Sequence, residues 1–295
     1  WLPALNLAPN VGDNVVVRGS VSKTMTRPNP NTMLPGINFS SPSADVANIG
    51  NPGLDPFLSD NIDLGFEYYT GNEGYFGFAA FRKNLTGFTV NGSETVPFGD
   101  LQAFGITFDT LTAAQQSAIN SRGGPNAATV VLQQQVNASG DLTVNGLEFN
   151  WVQPLDFIGL RGLGFTANMT FVDQKGDGAA PAVAVGVSPE TYNATVYYED
   201  RGISARVSRT YAEGSVVSGT NQNGIPLAAL FSTNYGQWDF SSSFDLARMF
   251  GREDSWFPQL TIDVINFTDE EQRSYFQFPN AAFTNYQPGR QIMVG

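Results

Sequence analysis

The chain has 295 residues, only 14% of them charged, and it contains neither cysteine nor histidine. These absences exclude disulfides, thiolate and imidazole metal sites, cysteine nucleophiles and any serine–histidine triad. The formal net charge of −12 repels phosphate backbones, so the sequence predicts no nucleic-acid binding.

The composition also narrows the fold class. The chain has 31 glycines and 13% aromatic residues, and no stretch approaches the roughly 20 apolar residues of a membrane helix. Abundant glycine and aromatic residues with few charges suit either an extracellular β domain or an outer-membrane β-barrel.

Apolar and polar residues alternate with a period of two over much of the chain. From Asn61 onward, for example, Ile62, Leu64 and Phe66 alternate with acidic or small residues. This alternation is typical of strands that are apolar on one face only. About eleven antiparallel strands are predicted, at 3–10, 15–26, 59–70, 75–90, 142–153, 162–173, 190–199, 203–213, 238–248, 259–267 and 286–295.

The connections between these strands alternate between short turns and long polar segments. The long segments cover 28–57, 92–126, 175–189, 216–237 and 269–285. Long loops at one end of the strands and short turns at the other end are typical of an outer-membrane barrel. Within the second long segment, Thr112 and Gln115 predict a capping box, followed by a helix to Ser121 that ends at Gly123 and Gly124.

Three groups of motifs carry a family resemblance. The first comprises VVVRGSVSKTMTRP at 15–28, GNPGLDP at 50–56, NIDLGFEYY at 61–69 and FRK at 81–83; the second is VNGLEFNW at 144–151; the third is VINFTD at 264–269 and YQPGR at 286–290. In this order they resemble the C-terminal barrel half of TonB-dependent outer-membrane receptors, particularly the branch abundant in Caulobacter- and Sphingomonas-like bacteria.

This resemblance implies an all-β fold, the C-terminal half of a 22-stranded transmembrane barrel that encloses a plug domain. Residues 1–295 are then the C-terminal barrel portion, with the plug and TonB box absent from this chain. Family members usually finish with an aromatic residue a little further on, so we expect a fragment. Alone, its unpaired strand edges would leave it unstable in a membrane.

The resemblance also implies a cellular location, a function and a set of partners. It predicts a receptor in the outer membrane of a Gram-negative bacterium that imports a scarce extracellular ligand and performs no catalysis. The short turns would face the periplasm and the long loops the exterior. The implied partners are outer-membrane lipid and lipopolysaccharide, and the TonB–ExbB–ExbD system acting through the missing plug.

Aromatic residues in the long loops are the predicted ligand contacts, against the alternative that they pack within the loops: Phe104, Phe108, Phe231 and Tyr235. The chain offers no histidine or cysteine for direct iron ligation and its loops are not strongly basic. A carbohydrate or another neutral ligand is therefore favoured over a siderophore anion. No cofactor is predicted, and no acidic segment has the spacing of a calcium loop.

Other aromatic residues lie near predicted strand ends, where an aromatic girdle at the membrane interfaces explains them better than a sugar-stacking platform. These residues are Trp1, Tyr68, Tyr69, Tyr75, Phe76, Trp151, Tyr197, Tyr198, Trp238, Trp256 and Phe257.

Two other functions remain open at this point. A soluble extracellular β-sandwich or β-helix that binds polysaccharide would pack its apolar strand faces against each other. A glycoside hydrolase needs only two suitably placed carboxylates, which the sequence can supply.

Overall fold

The alternating segments form β-strands in the computed structural model, which describes residues 1–39, 41–71, 73–177, 183–218, 228–252 and 257–295. The strands, in chain order, are β1 (Ala4–Leu7), β2 (Val15–Thr26), β3 (Ile37–Phe39), β4 (Val46–Ile49), β5 (Phe57–Tyr69), β6 (Tyr75–Thr86), β7 (Thr89–Pro97), β8 (Thr129–Asn137), β9 (Leu142–Pro154), β10 (Leu163–Gly176), β11 (Glu190–Asp200), β12 (Ile203–Ala212), β13 (Val216–Ser218), β14 (Leu230–Ser232), β15 (Tyr235–Asp245), β16 (Gln259–Ile265), β17 (Gln272–Phe276), β18 (Ala282–Tyr286) and β19 (Gln291–Val294).

Helices are few and short. They are α1 (Pro30–Met33), α2 (Ala113–Ser121) and α3 (Leu246–Met249), with 3₁₀ helices at Phe98–Phe104, Phe108–Thr110 and Asp156–Ile158. Within the described residues, no helix has the length and apolar character needed to cross a membrane.

Eleven strands form one antiparallel sheet, the barrel sheet, in the order β1-β2-β5-β6-β9-β10-β11-β12-β15-β16-β19. Each of the eleven predicted strands overlaps one of these, so the predicted antiparallel barrel fold is confirmed. The sheet does not close on itself, because within the described residues β1 and β19 each pair with one neighbour only. This open form is consistent with a partial barrel.

The strand register sorts the two faces of the barrel sheet. Directly paired residues form an apolar row from Val17 through Phe66, Phe78 and Phe149 to Met169. When each strand is shifted by one residue from this row, the paired residues are polar or small. This second row includes Glu67, Gly77, Asn150, Asn168 and Asn193. Neighbouring residues point to opposite faces, so one face is apolar and the other hydrophilic.

The apolar face is exposed. Ile62 is 52% exposed, Leu64 61% and Val196 56%. So large an apolar surface would be unfavourable in water and suits contact with hydrocarbon. The β-sandwich alternative required these side chains to be buried against each other, and they are not.

Large rings cover glycines on the hydrophilic face. A Cβ atom at Gly146 would lie 2.1 Å from the Phe81 ring, and one at Gly164 would lie 2.4 Å from the Tyr197 hydroxyl. Only glycine leaves room for such rings to lie across the neighbouring strand.

The register divides the predicted girdle aromatics between the two faces. Trp151 packs edge-on against Phe76 and Phe165 on the apolar face. Consecutive residues such as Tyr68 and Tyr69 must point in opposite directions. The apolar face carries Tyr68, Phe76, Trp151, Tyr198 and Trp238; the hydrophilic face carries Tyr69, Tyr75 and Tyr197; Trp1 and Phe257 are outside strands, and Trp256 is outside the described residues.

The long connections contain two small β-sheets, which the sequence analysis did not predict. The first loop sheet has the order β3-β4-β8-β7, and the second loop sheet has the order β13-β14-β17-β18. A compact core forms under the first loop sheet, around Leu101, Ile119 and Val130, each 0% exposed. The best-packed apolar cluster therefore belongs to the loops, because the barrel sheet presents its own apolar face outward.

The predicted helix is present as α2. Its N-cap Thr112 and Gln115 form the reciprocal capping box, with 3.0 Å between the Thr112 amide and Gln115 Oε1. The helix ends before Gly123 and Gly124, whose φ angles of +97° and +83° favour glycine.

Candidate ligand-binding site at the loop end of the barrel

The first loop sheet is amphipathic. Val130 and Leu132 of β8 face the loop core, while Gln133 and Gln135, one residue out of phase, belong to the opposite face. Cross-strand pairing places Asn48 beside Gln133 and Asn91 beside Gln135. The result is a row of uncharged side-chain amides, the amide face, made of Asn48, Asn91, Gln133 and Gln135.

The amide face lines a pocket of about 540 Å³. Asn31 of α1 adds a further amide to its wall, and Gln134 of β8 also lines the pocket. An amide group both donates and accepts hydrogen bonds, so this pocket can satisfy a ligand rich in hydroxyl groups. Its complete lining is Asn31, Thr32, Leu34, Gly36, Asn48, Ile49, Gly50, Asn91, Gln133, Gln134 and Gln135.

α1 is capped by its own N-terminal residue and lies close to the residue that follows β4. The Asn29 side chain caps α1 by accepting a 3.0 Å hydrogen bond from the Asn31 amide. Gly50 lies so close to the end of the helix that a Cβ atom there would be 1.9 Å from the Leu34 carbonyl oxygen. This close approach brings Asn31 to the same pocket as Asn48.

A second pocket, of about 670 Å³, adjoins the first through Asn91 and Gln135, which line both. Its other walls come from the second loop sheet and from Val183 and Val185, so it lies between the two loop sheets. Most of the lining is apolar: Phe88, Thr89, Val90, Asn91, Gln135, Val183, Val185, Val216, Val217, Ser218, Ala229, Phe231 and Gln277.

Backbone hydrogen bonds hold the walls of this second pocket. The Gly186 amide donates to the Val216 carbonyl at 2.7 Å. Ala229 and Gln277 are bonded twice, because the Gln277 amide donates to the Ala229 carbonyl at 3.0 Å and the Ala229 amide donates to Gln277 Oε1 at 3.2 Å. The walls are therefore built from paired backbone rather than from isolated side chains.

Neither pocket has a charged residue among its described lining residues. The nearby loop carboxyl of Asp45 is outside both linings, and a hydrogen bond from the Ser43 hydroxyl holds the pKa of Asp45 below its usual range. Among the described residues, no three carboxylates converge in a way that could hold a metal ion. The site therefore offers neutral hydrogen-bonding groups and apolar surface.

The four aromatic residues predicted to contact ligand lie in different surroundings. Phe231 lines the second pocket and stacks on Tyr275, with ring centroids 5.5 Å apart. Phe108 packs against the loop core, and Phe104 is 49% exposed outside both pockets. Tyr235 lines a separate pocket of about 410 Å³ with Glu213 and Arg273.

The amide face was missed by the sequence analysis. The signal was present in the run Gln133, Gln134 and Gln135, which follows the apolar residues Val130 to Leu132. Since three consecutive glutamines break the alternation, the segment does not resemble a half-buried strand. Only the pairing with β4 and β7 shows which of these amides share a face.

Solved outer-membrane proteins have a similar fold. A variant of the ferric enterobactin receptor PfeA of Pseudomonas aeruginosa, in complex with enterobactin, matches with a TM-score of 0.67 and 18% identity over 100% of this chain and 40% of that chain. The siderophore receptor PirA of Pseudomonas aeruginosa matches with a TM-score of 0.57 and 18% identity over 100% of this chain and 41% of that chain. The FrpB iron transporter of Neisseria meningitidis matches with a TM-score of 0.56 and 14% identity, covering 99% and 37% of the two chains.

These matches establish the fold, and the chain spans about 40% of the length of PfeA. Comparison with curated proteins gives no match. The family model described as TonB dependent receptor-like, beta-barrel, matches residues 1–267, which is most of the sequence. This chain therefore belongs to the TonB-dependent receptor-like β-barrel family.

Proposed function

We propose that this chain is the C-terminal barrel portion, residues 1–295, of an outer-membrane receptor that binds a scarce extracellular ligand and imports it. Its family consists of transporters rather than enzymes, and its fold matches that of siderophore receptors. The observation that carries the proposal is the two-faced barrel sheet, which joins an exposed apolar face to a hydrophilic one.

The two faces of the barrel sheet have different roles in such a receptor. The apolar face contacts outer-membrane lipid and lipopolysaccharide, and the hydrophilic face lines a lumen that a plug domain occupies in the complete receptor. The long connections lie outside the cell and capture the ligand. Import then follows plug movement driven by the TonB–ExbB–ExbD system, whose contact segment lies outside this chain.

The host is a Gram-negative bacterium, and the ordered set of three motif groups along the chain favours the Caulobacter- and Sphingomonas-like branch. The ligand is a small molecule, a carbohydrate or a siderophore, that enters between the two loop sheets. Among the predicted aromatic contacts, Phe231 has the strongest support, since it lines a pocket there. Phe104 and Tyr235 are proposed as contacts at the rim, whereas Phe108 packs against the loop core.

Cell fractionation and uptake test the proposal. The full receptor, expressed in its host, is expected in the outer-membrane fraction, resistant to extraction with urea. Deletion of its gene is expected to abolish uptake of its ligand, and deletion of tonB is expected to have the same effect. Recovery in the aqueous fraction without detergent, or uptake unaffected by tonB deletion, would contradict it.

A further inference from the structure

We infer that the two adjoining pockets bind an uncharged, polyhydroxylated ligand, an oligosaccharide. This inference rests on the proposed receptor function and specifies the ligand class at that same site. Three properties of the pockets support it: their amides, their apolar wall and their lack of charge.

The amides match the hydrogen-bonding character of a sugar. A sugar hydroxyl donates one hydrogen bond and accepts others, and a carboxamide offers two N–H donors and a carbonyl acceptor. The side-chain amides of Asn31, Asn48 and Gln133 belong to the first pocket, with Asn91 and Gln135 at its junction with the second. Gln135 Nε2 donates to Asn91 Oδ1, which orients these two amides relative to each other.

The apolar wall matches the other surface of a sugar. A pyranose ring has C–H faces between its hydroxyl groups, and these faces pack on aliphatic and aromatic side chains. In the second pocket, Val183 and Val185 contribute aliphatic surface and Phe231 contributes an aromatic ring. A ligand that spans both pockets would therefore contact amides in the first pocket and apolar surface in the second. This combination suits an oligosaccharide, which has both hydroxyl groups and C–H faces.

The lack of charge argues against a ferric catecholate siderophore, which is an anion. Removing an anion from water is costly unless cationic or strongly donating groups replace its hydration, and arginine and lysine normally supply them. No lysine or arginine is among the described lining residues of either pocket. The formal net charge of −12 further disfavours the approach of an anion.

Binding to the detergent-solubilised full receptor tests the inference. The probes are an array of neutral oligosaccharides, which selects one ligand for calorimetry, and ferric enterobactin. At least one neutral oligosaccharide is expected to bind. The double variant Gln133→Leu/Gln135→Leu is expected to weaken that binding about tenfold, since two hydrogen-bonding amides are lost.

Two further variants make the test specific. Gln102→Leu makes the same chemical change at an exposed position of the same loop, outside both pockets, and is expected to leave binding unchanged. Gln135→Glu keeps the size of the side chain, so its weaker oligosaccharide binding would not arise from a cavity or from misfolding. Equal weakening by Gln102→Leu would overturn the site assignment.

The remaining outcomes separate the ligand class from the receptor function. Binding of ferric enterobactin that the double variant weakens, with no oligosaccharide bound, overturns the inference and leaves the receptor function intact. No binding by any oligosaccharide of the array overturns the inference as well. Absence of the receptor from the outer membrane overturns both proposals together.

Discussion

At the scale of single residues, Arg122 connects three separate segments of the loops. Its guanidinium donates to the backbone carbonyls of Ser43 and Ala44 at 2.9 and 2.8 Å, to Thr129 at 3.0 Å and to Ala118 at 3.3 Å. Ser43 and Ala44 precede β4, Thr129 begins β8 and Ala118 lies within α2, and these three elements enclose the loop core. One side chain therefore holds the underside of the sheet that carries the amide face.

Replacing Arg122 by alanine is expected to destabilise the first loop sheet by about 2 to 4 kcal/mol. The variant loses the hydrogen bonds from a charged donor, and partly buried carbonyl groups are left without a hydrogen-bond partner. Hydrogen exchange in the full receptor would show faster exchange in β4 and β8, with the barrel strands unchanged. Arg27→Ala, at an exposed position directly after β2, makes the same chemical change elsewhere and serves as the control. If the two variants showed equal protection from hydrogen exchange in β4 and β8, Arg122 would not stabilise the first loop sheet.

Residue-level prediction succeeded where the signal is local. The capping box at Thr112 depends on residues three apart, so the sequence alone located α2. The amides at Asn48, Asn91 and Gln133 come from distant segments, and no local pattern predicts that β4, β7 and β8 will pair. Aromatic character alone was also a weak guide to the pockets, because Phe108 is used in the loop core instead.

At the scale of elements, a shift of one residue along a barrel strand changes the environment completely. In β9, Phe149 lies on the apolar face between Phe78 and Phe171, with ring centroids 5.0 and 6.4 Å away. Asn150 follows it on the hydrophilic face, opposite Gly77 and Asn168. Phe149 and Asn150 are neighbours in β9 and lie at about the same height along the barrel wall, but their side chains point to opposite faces of the sheet.

This pair permits a matched test of which face meets lipid. Phe149→Arg is expected to cost about 2 to 4 kcal/mol, the penalty for an arginine facing the middle of the bilayer. Asn150→Arg is expected to cost much less, because its side chain enters a hydrophilic lumen. Urea unfolding of the receptor in lipid vesicles measures both. A larger loss from Asn150→Arg would contradict the assignment of the faces.

The same periodicity explains which elements were predicted. The long barrel strands, such as β5 and β10, alternate regularly because each separates two media along its whole length. Six of the eight described loop strands have only three to five residues, as in β3 and β13 with three each. The other two, β7 and β8, have nine residues each, but their sequences, TVNGSETVP and TVVLQQQVN, do not alternate regularly. None of the eight was therefore predicted as a separate strand.

At the scale of the whole molecule, the barrel sheet ends in two strands that each pair on one side only, β1 and β19. Unpaired backbone N–H and C=O groups cannot be satisfied by hydrocarbon. In a complete receptor these edges would be joined through further strands. The open sheet of the described residues is consistent with a partial barrel, as is its coverage of about 40% of PfeA.

Residues 1–295 exported alone are expected to aggregate or be degraded rather than insert, because two strand edges would be open to lipid. The full receptor, expressed in parallel, is expected in the membrane. The measurement is the fraction of each protein that resists urea extraction of outer membranes. Stable insertion of the isolated segment as a monomer would show that the sheet can close without further strands.

The amphipathic first loop sheet has a consequence for how such receptors diversify. Its core-facing and mouth-facing positions alternate along β8, so substitutions at Gln133 or Gln135 leave the packing of Val130 untouched. Changes at well-separated sites with no shared partners act independently. In the receptor proposed above, substitutions at these positions would change the preferred ligand while the scaffold beneath keeps its architecture.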